Sequence, residues 1–222
     1  MHEIVITARK ELENASQIPT GGHLKTGDIR KLSAKLYKDV KGKSIGDIFV
    51  ICEESLEQRD WAMGVIAFDF AYRCKKQYDE GIFEVFERWL QQYVRGWGDC
   101  DDFCTHAFGE LICQNTQLVS RVIQWTQREE FWMRRAAAVL LIPSIWQDKY
   151  IETNPLQVAD LLMMDEHDLV RKGYGWMLKI LSTKEPALVF EYLQKNKAVM
   201  PRVAYRYALE KMDDDAKRIL MQ

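Results

Sequence analysis

Residues 131–143 read Phe131-Trp132-Met133-Arg134-Arg135-Ala136-Ala137-Ala138-Val139-Leu140-Leu141-Ile142-Pro143. The apolar run from Ala136 to Ile142 is the longest in the chain. It is far shorter than the roughly 20 residues a membrane span needs. Its helix formers predict a buried α-helix over about 129–142, and the two arginines ahead of it fall in the first turns. Similar openings recur. Trp61-Ala62-Met63 starts one helical stretch and Gly98-Asp99-Cys100 the next. Leu169-Val170-Arg171-Lys172 follows Trp132, and Met200-Pro201-Arg202 is last. The steps are 37, 34, 37 and 31 residues. Two helices per unit at this period mark a helical repeat array, because no single pair can bury its apolar face alone. The expected fold is all-α: a right-handed helical solenoid of HEAT-like pairs with a concave face.

Outward from that core, apolar spacings of three and four dominate. Helices are expected over about 1–14, then from Thr26 as N-cap through Val40, then a short one to Cys52 and a long one over about 56–78. Further helices are expected over 81–95, 99–113, 116–127, 155–165, 167–181, 186–195, 201–212 and 213–221. Pro19, Gly21 and Gly22 mark a turn between Ser16 and Gly27, and Gly42 and Gly46 mark another break. Pro155, Pro186 and Pro201 fall where a first helical turn tolerates proline. The whole chain, 1–222, reads as one repeat domain, with helices over about 1–54 as a cap and repeats over about 55–212.

Lys plus Arg is 31 and Asp plus Glu is 33, giving a formal net charge of −2. That excludes a polybasic arm protein but not one basic face. The five cysteines form no CxxC pair and no signal peptide opens the chain, so reduced thiols and a cytoplasmic location are expected. Cys100, Cys104 and His106 lack a fourth ligand and do not read as zinc. In a repeat stack Arg134 and Arg135 take the place that Arg171 and Lys172 occupy one unit later, with Arg202 after them. Such a row suits a phosphate backbone, although a solvated face is the commoner use of surface charge. Asp213, Asp214 and Asp215 read as the start of the last helix.

Four stretches in order resemble the DNA alkylation repair proteins of the AlkD-like group, HEAT-repeat DNA glycosylases that remove N-alkylated purines. They are Lys25-Thr26-Gly27-Asp28-Ile29-Arg30, Trp97-Gly98-Asp99-Cys100-Asp101-Asp102, Phe131 to Ala137, and Gly175-Trp176-Met177-Leu178. The resemblance spans roughly residues 20–212. It implies a catalytic carboxylate at Asp102, a phosphate-gripping arginine at Arg135 and an aromatic contact at Trp176. Trp97 matches the first residue of the family's aromatic pair, and the second position holds Gly98.

The chemistry suits those types. Alkylation at a ring nitrogen makes the base cationic and a ready leaving group. A carboxylate beside the anomeric carbon then stabilises the oxocarbenium-like sugar or activates water. Asp99 lies three residues before Asp102 and is expected to share its face, with Asp101 pointing elsewhere. Helix-end dipole compensation accounts for the same aspartates without any chemistry. Arg135 would fork a phosphate, and Trp176 would offer a π face. No metal or cofactor is needed, the expected partner is alkylated or distorted duplex DNA, and a monomer suffices. Two further readings stand beside this one: a non-catalytic DNA-binding solenoid for damaged or branched DNA, and a protein-interaction scaffold.

Overall fold

The computed structural model describes residues 1–16 and 24–222; the expected turn at Pro19, Gly21 and Gly22 lies outside them. The fold is all-α, with no strand among the described residues, and no helix among them is long and apolar enough to cross a membrane. The chain divides into two compact units, Met1–Val94 and Arg95–Gln222.

The first unit holds α1 (Glu3–Ser16), α2 (Thr26–Leu36), α3 (Ile45–Leu56), α4 (Trp61–Arg73) and α5 (Ile82–Gln92). Lys25, not Thr26, is the N-cap residue of α2, and Thr26 is its first helical residue. Gly46 lies within α3, whose cap is Ser44, accepting from the Asp47 N–H at 3.1 Å. The long helix expected over 56–78 is interrupted. Arg59 adopts a left-handed φ of 54°, and Asp60 then caps α4 by accepting from the Met63 N–H at 2.9 Å. A side-chain acceptor at a new N-cap satisfies an amide that a continuous helix would have bonded internally. The α3–α5 core centres on Phe49, Phe86 and Trp89, with ring centroids 5.1–5.5 Å apart.

The second unit runs α6 (Trp97–Thr105), α7 (Ala107–Gln114), α8 (Val119–Gln124), α9 (Phe131–Val139), α10 (Ile142–Trp146), α11 (Pro155–Leu162), α12 (Asp168–Leu181), α13 (Pro186–Asn196), α14 (Arg202–Leu209) and α15 (Asp214–Met221). Pro155 and Pro186 sit in first turns, whereas Pro201 is the N-cap of α14. Asp213 caps α15 through the Ala216 N–H at 2.7 Å. The stretch expected as one helix over 99–113 breaks at His106 (φ −123°, ψ −97°). That break turns α7 against α10. A Cβ at Gly109 would lie 2.2 Å from the Cys104 carbonyl oxygen and 2.6 Å from Pro143 Cγ, so only glycine permits this approach.

From α4 onward, the leading helices begin at Trp61, Trp97, Phe131, Asp168 and Arg202, in steps of 36, 34, 37 and 34 residues. Within the second unit α6, α9, α12 and α14 pack side by side in chain order, and α7 and α10 pair behind them. Because α9 lies between α6 and α12, every residue from Arg135 to Val139 is buried. Alanines at 136–138 keep those neighbours close, which is why two arginines at its start do not form a solvated face.

Candidate functional site

Arg135 projects from the enclosed face of α9 and is 5% exposed. Its Nε and Nη2 donate to the two carboxylate oxygens of Asp101 on α6, at 2.8 and 2.7 Å. Its Nη1 donates to the Leu169 carbonyl on α12. One side chain thus ties three successive leading helices. Burial works against the guanidinium charge, and the Asp101 carboxylate outweighs it and holds the Arg135 pKa above its ordinary value. All this depends on room beside α12, where a Cβ at Gly173 would stand only 3.1 Å from Arg135 Cγ.

Asp101, expected to point elsewhere, is therefore the carboxylate that meets Arg135. It lies four residues after Trp97, so the two are neighbours on one face of α6. Trp97 is 56% exposed. The Trp97–Asp101 spacing was legible in the sequence, but the Asp99–Asp102 spacing drew the pairing instead. Asp102 is about 100° further round the helix than Asp101 and half-buried. Asp99 is also half-buried, and burial raises its carboxyl pKa against backbone hydrogen bonding that lowers it; no neighbouring carboxylate contributes. A Cβ at Gly98 would meet nothing within 4 Å, so there is open space beside this residue.

The expected basic row resolves into two groups. Arg134 grips Asp165 through Nε and Nη2 at 2.5 and 3.2 Å and donates to the carbonyls of Arg128 and Glu129. Arg171 donates to the Asp165 carbonyl at 2.5 Å and to Asp168 at 3.3 Å. These two, with Arg135, bind the protein to itself. Lys172 and Arg202 have no ion pair among the described residues. Lys172 is half-buried and Arg202 exposed, as is Arg206 one turn further along α14. Trp176, half-buried, follows Lys172 by one turn on α12. Gly175 beside it is a packing glycine, since a Cβ there would reach to 2.8 Å from the Ala204 carbonyl on α14. Arg206 lies one turn inside α14, past the helix start that aligns Arg202 with the row, so no recurrent opening in the sequence singles it out.

The other aromatic and cysteine expectations separate similarly. Trp89 and Trp125 are core residues, but Trp146 is 47% exposed. Trp132 is half-buried, with the Arg95 guanidinium 5.6 Å above its ring. The five cysteines are buried free thiols. Cys100 and Cys104 face one another at 3.9 Å, while His106 Nδ1 lies 3.0 Å from the Asp102 carbonyl. No cluster of three metal-ligating side chains occurs among the described residues.

The model of the DNA alkylation repair enzyme family matches residues 21–212. Among solved structures, a predicted DNA alkylation repair enzyme from Enterococcus faecalis is 18% identical over 96% of both chains, with a TM-score of 0.72. AlkD2 from Streptococcus mutans is 19% identical over 95% of this chain and 100% of its own, with a TM-score of 0.68. At such identities the likeness shows the helical-repeat fold. No curated protein matches the chain.

Proposed function

The chain belongs to the DNA alkylation repair enzyme family, and from that premise we propose that it is a DNA glycosylase that hydrolyses the N-glycosidic bond of N-alkylated, cationic purines in duplex DNA. The observation that carries this reading is the Asp101 carboxylate, fixed by Arg135 one helical turn from the exposed Trp97. As the C1′–N bond breaks, its electron pair neutralises the positive base, and the sugar becomes cationic. The carboxylate stabilises that cation, and water adds its oxygen to C1′ while its proton passes to bulk water. Preorganisation is what makes a fixed charge effective there, and a buried bidentate arginine supplies it. Asp101 replaces Asp102 and Asp99 as the working group in this proposal, and Arg135 acts on the carboxylate rather than on a phosphate.

Lys172, Arg202 and Arg206 contact backbone phosphates, and Trp97 and Trp176 offer aromatic faces to the lesion. The leaving group carries its own charge, so no metal or cofactor takes part. In this reading the protein acts as a monomer in the cytoplasm, a compartment in which free thiols such as its five cysteines persist. The test is release of 3- or 7-methylpurine from alkylated duplex. Asp101→Asn lowers the rate about 100-fold or more, the scale of a general acid–base group, while Asp102→Asn stays near wild type. Equal rates for wild type and Asp101→Asn would sink the assignment.

The open space at Gly98 favours a second reading, a non-catalytic protein that binds damaged or branched DNA. It predicts salt-sensitive duplex binding with no base released at high protein concentration.

A further inference from the structure

Between Lys25 and Lys43 the chain carries seven basic and two acidic residues, a local charge of +5. The whole chain is −2, so everything outside this stretch sums to −7. Such asymmetry concentrates positive charge in one segment of the first unit. Helix geometry sharpens it. Ile29, Ser33 and Leu36 are the buried face of α2, which packs on α1 and α4, with Ser33 donating to Asp69 at 2.6 Å. Lys31 and Lys35 follow Ile29 and Ser33 by two residues, about 200° round the helix, and Lys38 lies in the 3-10 turn Tyr37–Asp39 that follows α2. Lys31 and Lys35 stand opposite the packed face about 6 Å apart along the axis at 1.5 Å per residue, and Lys38 continues the stripe past the helix end. All three are exposed, as are Lys41 and Lys43 in the turn that follows.

Little inside the protein holds this stripe. Lys31 pairs with Asp28 at 2.9 Å with its side chain 81% exposed, and Lys35 stands 4.0 Å from Glu11 at 71% exposure. Exposed pairs of this kind contribute between nothing and about 1 kcal/mol and exchange readily for a stronger anion. Lys38, Lys41 and Lys43 have no ion pair among the described residues. Five exposed ammonium groups match a line of phosphates rather than a folded protein partner, whose interface cores are depleted in lysine.

We propose that the stripe formed by Lys31 and Lys35 of α2 and Lys38 of the turn after it, continued by Lys41 and Lys43, is a second docking surface for the phosphate backbone of duplex DNA. It rests on the reading of this chain as a DNA-binding protein, and it adds a contact in the first unit to those proposed in the second. The surface carries no sequence or lesion preference, because phosphates carry none.

The test is a salt titration of binding to an undamaged duplex by the full chain. The variant Lys31→Gln/Lys35→Gln/Lys38→Gln changes exposed residues only, and a thermal melt checks its fold. Each lost phosphate contact reduces the slope of log K against log salt by about 0.9. The triple variant is expected to lose about 2–3 from that slope and at least about tenfold in affinity at low salt. A control, Lys195→Gln/Lys197→Gln/Lys211→Gln, removes the same charge from exposed positions elsewhere and is expected to leave the slope near wild type. An unchanged slope in the α2 variant, an equal fall in the control, or tighter binding of phosphatidylserine vesicles than of duplex overturns the proposal. Base release measured in parallel separates the two readings. A lowered slope without base release leaves the docking surface standing and removes the glycosylase. Base release with an unaltered slope does the reverse.

Discussion

Arg135 and Asp101 form a two-pronged ion pair in which the arginine is 5% exposed and the aspartate side chain 18%. The pair joins α9 to α6, and the third donor of the same guanidinium reaches α12. A buried pair of this kind is costly to break from one side, because the remaining charge is left without a partner. Arg135→Met should therefore destabilise the protein by ~3 kcal/mol, the lower end for buried pairs, since Asp101 reaches some solvent. Adding Asp101→Asn should restore part of the loss. Urea unfolding of the two variants checks this, and equal stability of both would contradict the structural role.

Arg134 and Arg202 were expected to act alike, and the structure separates them. Arg134→Ala should lower the melting temperature, since it strips Asp165 of its bidentate partner, and should leave the salt dependence of duplex binding near wild type. Arg202→Ala should do the opposite: an unchanged melt, and a slope reduced by about 0.9.

Asp99 makes stability depend on pH. Burial raises its folded-state pKa, so the folded chain holds the proton more tightly than the unfolded one. The contribution is present in full below the unfolded value of about 4 and is lost as pH rises through the raised folded value. Asp99→Asn should thus gain stability relative to wild type at pH 7 and show no such gain near pH 3.5. Thermal melts at the two pH values decide it, and an identical difference at both would count against burial as the cause.

Gly98 has open space around its missing side chain. Gly98→Tyr should fold normally and, if the aromatic contacts the cationic base, tighten binding of alkylated over plain duplex by up to about thirtyfold, the worth of one cation–π contact. Equal affinity for both duplexes would show that this position does not face the lesion.

Gly175 behaves differently from Gly98 although both precede or follow a tryptophan. Gly175→Ala drives a methyl to 2.8 Å from the Ala204 carbonyl and Tyr207 Cβ. It should destabilise by about 1–3 kcal/mol through overpacking, visible as a lower urea midpoint.

The amino-acid order alone determined the helical class, the repeat period and most helix positions. Spacings of three and four and the recurrent openings at Trp61, Gly98, Trp132, Leu169 and Met200, each within two residues of an observed helix start, are local properties. So are the starts at Pro155 and Pro186 and the cap at Asp213, each set by backbone chemistry within a single turn. What tertiary structure decided was the partner of each charge. Asp101 and Asp102 are adjacent in the chain and identical in type, and only the position of α9 against α6 selects the first for Arg135. Arg134 and Arg135 are likewise adjacent, yet one turns to Asp165 and the other to Asp101. A helix presents neighbouring residues about 100° apart, so which of two equal side chains meets a partner is set by packing between helices, a relation that no local pattern encodes.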